Sequence, residues 1–148
     1  MTEKISSKVL KHVMVVLDEL ENAIQSCPED LWRREEEEDY MKKPAVLAYH
    51  TIWCISLSHH LDIKNVPFEK FPPRPKPPVQ SKELVLEMLG WMKNAVKLKY
   101  QSMEDNIFLG LLDQYIYATS HIRHHYGQFL QIIKEKGIKR PKWYNRSE

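Results

Sequence analysis

Six prolines, Pro67, Pro72, Pro73, Pro75, Pro77 and Pro78, crowd into the stretch VPFEKFPPRPKPPVQ at residues 66–80. Proline fixes φ and lacks a backbone N–H, so no continuous helix crosses this stretch. It reads as a stiff connector that splits the chain into two parts, and hydrophobic periodicity finds two helices on each side. The first pattern runs from Ile5 to Ser26, with Val9, Val13, Val16, Leu17, Leu20 and Ile24 at helical spacing, and stops at CPED. A polar stretch, WRREEEEDYMKK, leads to a second helix in which Pro44 takes the first turn and AVLAYHTIWCISLSHHL continues to Leu61. This second helix is apolar nearly all round, which assigns it to the core. Ser81 is the expected N-cap of a third helix through KELVLEMLGWMKNAVKLKY. Asp105 or Asn106 would cap a fourth that reaches Lys136, where Gly137 supplies the stop.

Four amphipathic helices must bury their stripes against one another, so the expected fold is all-α, a four-helix bundle in one domain spanning 1–148. The scarcity of glycine, 4 residues in 148, agrees with helices rather than a sheet. The proline-rich connector is long enough to make a crossover between the second and third helices. No run of about 18 apolar residues occurs, and the N-terminus carries charges throughout its apolar positions, so neither a membrane span nor a signal peptide is expected. A cytoplasmic protein is the default reading. The two cysteines, Cys27 and Cys54, form no CxxC, which argues against a disulfide framework and a thiolate zinc knuckle. A net charge of +2 is too small for a strong electrostatic claim. RREEEEDY reads as an exposed connector or solvated helix face. In the basic tail, Lys134, Lys136, Lys139, Arg140 and Lys142 cluster near Trp143 and Tyr144. No recognised binding motif surrounds them, and cations are expected at a helix C-terminus, so no nucleic-acid partner is assigned.

The chemistry is concentrated in ATSHIRHHYGQFL, residues 118–130. Residues four apart share a helix face, so His121 and His125 project together while His124 is rotated partly away. Seven histidines give roughly 0.3 such pairs by chance, so the pair alone decides nothing. A third imidazole, His50, lies mid-helix among Ala48, Tyr49, Ile52, Trp53 and Cys54, where burial without a partner is costly. It would be satisfied by a hydrogen bond to a tyrosine or a carbonyl, or by completing a three-histidine metal site that leaves open coordination positions. Gln128 is placed to orient a ligand or to make a helix-packing hydrogen bond. Cys54, one turn beyond His50, reads as a buried structural cysteine, and Tyr117 as a pocket-lining or packing residue. His59, His60 and His124 read as solvated or capping residues. His12 has no partner at chelating spacing.

The order of a helix-borne histidine in AVLAYHTIWC, a proline-containing connector, and HIRHHYGQFL resembles the DinB/YfiT-like superfamily of bacterial four-helix metalloproteins. The resemblance spans most of the chain, departing at YMKKPAV before the second helix. It implies a divalent metal, zinc or nickel, on His50, His121 and His125. It also implies a metal-dependent enzyme acting on a small molecule, with a low-molecular-weight thiol as cosubstrate, as an S-transferase or hydrolase, and a homodimer. Ile122 stands where a zincin has its glutamate, so the helix has no built-in general base and a protease is disfavoured. The alternative is a non-catalytic metal-binding or stress-related bundle protein that acts through binding or dimerisation.

Overall fold

The computed structural model describes residues 3–61 and 79–137. Every regular element among them is helical: α1 (Ile5–Ser26), α2 (Glu29–Arg33), a 3-10 turn (Tyr40–Lys42), α3 (Pro44–Ser58), α4 (Lys82–Gln101) and α5 (Asp105–Glu135). Local chemistry sets most of these limits. Cys27 is extended at φ −73 and ψ 122, as a residue before proline prefers, and this stops α1. Pro44 opens α3, where its missing N–H has no intrahelical use. Ser81 caps α4 by accepting a hydrogen bond from the Leu84 N–H at 3.2 Å. Gly137, at φ +75, follows the C-cap Lys136 of α5 in the left-handed conformation that glycine adopts without a Cβ penalty.

Helix α1 packs on α4 and α5, and α3 packs on the same two, so α1 and α3 stand at opposite corners of the bundle. Contacts at the helix ends fix the directions. Lys4 reaches the Gln101 carbonyl at one end, while Lys82 donates to the Cys27 carbonyl at the other, so α1 and α4 are antiparallel. The Ile5 N–H donates to Asp105 Oδ1, and Glu19 faces Arg123, so α1 and α5 run together. At the end of α3, His59 meets Tyr100 at the end of α4, which makes these two helices parallel. Residues 62–78 and 138–148 lie outside the described residues, and with them the expected crossover and most of the basic tail, Lys139, Arg140, Lys142, Trp143 and Tyr144. Among the described residues no helix is long and apolar enough to cross a membrane.

Three expectations are corrected. Helix α3 ends at Ser58, not Leu61. The chain turns there in a Schellman motif, with His60 at φ 51, the Leu61 N–H donating to the Ser56 carbonyl and the His60 N–H to the Leu57 carbonyl. The N-cap of α5 is Glu104, while Asp105 is its first helical residue. A fifth, short helix, α2, lies in the link after α1, where four helices in all were expected. Leu31 and Trp32 are buried on α2, and the Trp32 indole N–H donates to the Gln80 carbonyl at 2.9 Å, which ties α2 to the approach to α4. The acidic run beyond it conforms better, with Glu35, Glu36 and Glu38 exposed.

His59, expected in solvent or as a helix cap, does cap α3 but is fully buried. Its Nδ1–H donates to the Ile55 carbonyl at 3.0 Å, so Nε2 accepts from the Tyr100 hydroxyl at 3.3 Å. The ring stacks on Tyr115 with centroids 5.4 Å apart. Burial pushes the His59 pKa below the ordinary imidazole value, because the charged form loses its hydration. The unfolded chain therefore binds this proton more readily than the folded one. The resulting stability is present above the unfolded pKa of about 6.5 and is lost as pH falls from there toward the lower folded value. In chelator, urea midpoints of the wild type should fall on acidification through that window, and His59→Gln should fall less steeply. Equal slopes would refute a buried neutral His59.

Candidate metal centre

Helices α3 and α5 are antiparallel neighbours, and each carries two donors one turn apart on the face it turns toward the other. His50 and Cys54 come from α3, and His121 and His125 from α5. The ligand atoms of all four lie within 4.8 Å of one another. His125 Nε2 is 3.2 Å from His50 Nε2 and 3.0 Å from His121 Nε2, and the His125 ring stands at 90° and 89° to the two others. Cys54 Sγ is 3.5 Å from His50 Nε2. His125 is 7% exposed and Cys54 6%, while His50 and His121 are half-buried.

Proton bookkeeping shows what such a cluster needs. His125 Nδ1 lies 2.8 Å from Gln128 Oε1, which can only accept, so Nδ1 carries the hydrogen. In the neutral ring Nε2 is then a bare lone pair, yet it faces two further imidazole nitrogens. One lone pair cannot serve two such contacts equally well as hydrogen bonds, whereas a shared cation would satisfy all three rings. Spacing agrees. Nitrogens at about 2.0–2.1 Å from a common ion lie about 2.9 Å apart on an octahedral face and about 3.4 Å apart along a tetrahedral edge. The observed 3.0 and 3.2 Å fall between these values. The four donors could therefore hold a metal ion, and the Gln128 amide holds one ring in orientation.

The remaining candidates divide clearly. Tyr117 is 67% exposed and stacks on the His121 ring with centroids 5.9 Å apart, so it forms an outer wall of the site. His124 is exposed and turned from the cluster, although its ring lies near that of His125. His60 receives the Gln114 amide, and His12 is exposed on α1; neither belongs to the cluster. Cys27 is a different kind of cysteine from Cys54. Burial pushes its pKa up to about 11, with Lys82 opposing the shift, so it is an unreactive thiol. A cavity of about 680 Å³ between α5 and residues 34–42 has Arg34, Lys42, Arg123, His124 and Gln128 in its wall. It borders the centre through Gln128 without including the four donors.

Sequence reasoning singled out His50, His121, His125 and Gln128, and these residues are neighbours in space. It read Cys54 as a buried structural cysteine; the residue is buried, and its sulfur also lies in the donor group, at the same spacing from His50 as His121 from His125. No family model, curated protein or solved structure matches the chain. The chemistry of the site accordingly rests on its own donors. Replacing Gln128 with Leu should leave the fold intact and weaken divalent-metal affinity roughly 10- to 100-fold, as loss of an orienting partner does elsewhere. Competition with a chromophoric chelator measures this, and unchanged affinity would remove Gln128 from the site.

Proposed function

We propose that this protein binds one divalent metal ion of the zinc or nickel class through His50, His121 and His125. We further propose that it uses the ion as a metal-dependent enzyme on a small molecule, with a low-molecular-weight thiol as cosubstrate. The observation that carries the metal reading is the meeting of three Nε2 atoms from two helices around one point. The finer assignment, to thiol-dependent S-transfer and a DinB/YfiT-like fold, is supported by the motif resemblance and by the parallel run of α3 and α4, which a crossover would produce. It implies the cytoplasm, where small thiols are kept reduced.

The ion supplies Lewis acidity, lowering the pKa of a water or thiol brought to it. The protein's own groups do the rest. His50, His121 and His125 present neutral nitrogens, Gln128 holds the His125 tautomer, and Tyr117 walls the exposed side of His121. In the S-transfer reading a thiol sulfur forms the new bond to an electrophilic carbon. The leaving group departs with the bonding pair, and the thiol proton passes to solvent. Among the four cluster residues no carboxylate is present to act as general base.

One observation favours a second reading. Cys54 Sγ stands among the nitrogens, and four protein donors would make a closed site of the structural kind, serving a non-catalytic binding protein.

Purified protein should hold about one divalent ion per chain, and an excess of about 100 times Kd should stabilise it by about 2.7 kcal/mol. His125→Ala should lose both effects. A folded His125→Ala variant with wild-type metal content and melting temperature would sink the ligand assignment. Metal-loaded protein should also speed the reaction of a small thiol with an activated aryl chloride, and chelation should abolish the acceleration. Metal binding without any such acceleration favours the non-catalytic reading.

A homodimer completes the proposal. Leu109 and Ile116, two turns apart on α5, are 52% and 53% exposed and offer an apolar strip for pairing. Sedimentation at tens of micromolar, roughly the range in which an ordinary interface is occupied, should show a dimer, and a monomer there argues against it.

A further inference from the structure

We infer that Cys54 is a fourth metal ligand, bound as thiolate, and that the resting centre is a tetrahedral three-histidine, one-cysteine site. The inference rests on the metal reading above and, by filling the fourth position, sides with the non-catalytic reading over the thiol-dependent one.

Spacing admits a fourth donor. A nitrogen at about 2.05 Å and a sulfur at about 2.3 Å from one ion lie about 3.6 Å apart at the tetrahedral angle and about 3.1 Å apart at a right angle. Cys54 Sγ and His50 Nε2, four residues apart on α3, are 3.5 Å apart, which accommodates the tetrahedral value, and all four donor atoms lie within 4.8 Å of one another. The helices make the arrangement natural. His50 and Cys54 on α3 repeat the four-residue spacing of His121 and His125 on α5, so each antiparallel helix contributes one pair of donors at the same level. Cys54 is 6% exposed and its sulfur lies against the His50 ring, within 4.8 Å of the donor nitrogens of His121 and His125.

Chemistry follows from the donor. When the ion binds, the sulfur–metal bond forms and the thiol proton leaves to solvent. A thiolate in the set favours zinc, cobalt or similar borderline ions over magnesium and calcium, which prefer oxygen ligands. It also means that an external thiol meets a filled shell and must compete with a protein donor.

The test uses full-length protein loaded with cobalt(II) and no added thiol. We expect one cobalt per chain, intense tetrahedral d–d absorption and a sulfur-to-cobalt charge-transfer band. Cys54→Ser should lose that band and bind more weakly by at least the roughly 10- to 100-fold that an outer partner costs. Cys27→Ser should keep the band. X-ray absorption of zinc-loaded wild type needs no variant and should show one sulfur at about 2.3 Å. Stoichiometric metal with only nitrogen or oxygen neighbours overturns the Cys54 assignment and leaves the three-histidine reading standing. Failure of the wild type to bind either metal overturns both.

Discussion

The contact between α3 and α5 is the constraint on which the rest of this structure depends. It brings polar, ionisable donors into a position where His125 and Cys54 are almost wholly removed from water. Each is met there by polar neighbours, His125 by Gln128, His50 and His121, and Cys54 by His50. The surrounding elements hold the donors in one place. Helix α3 is buried on nearly every side, from Ala45 to Tyr49 and again from Thr51 to Ser56, so it has little freedom to roll away from α5.

That rigidity has its own supports. Below the centre, His59, Tyr100, Phe108 and Tyr115 form a packed aromatic group that joins the ends of α3 and α4 to the start of α5. Lys99 adds contacts to the carbonyls of His59 and His60, at and just past the C-cap of α3. At the other end of the bundle, the Trp32 indole anchors α2 beneath the approach to α4. The donors therefore sit between two fixed ends rather than on a loop. This is the usual condition for holding a coordination geometry closely.

Much of this was legible because local signals agreed with the final packing. Proline at 28 and 44 and glycine at 137 act through backbone geometry, and serine at 81 through its side-chain cap, and the corresponding helix limits follow from them. The end of α3 was hidden because His60 takes a left-handed turn that glycine or asparagine would have advertised. His59 looked polar because its burial is created by Tyr100 and Tyr115, residues far away in sequence. Trp32 was lost inside a run of charges. At the centre, the four-residue spacing made His121 and His125 visible. The same spacing offered Cys54, but its apolar neighbours in sequence argued for an inert thiol. Within α3 the four-residue spacing already sets that sulfur against His50, and the antiparallel docking of α5 brings His121 and His125 within 4.8 Å of it.

The paired spacing has a mechanical consequence. One residue of travel along an α-helix is about 1.5 Å of rise and 100° of turn, so sliding or rolling α5 past α3 by a single residue would carry its donors out of reach. An ion gripped from both sides would act as a rivet against shear. Because α5 extends 31 residues, far beyond the 15 of α3, both overhanging arms would inherit that lock from a point near its middle.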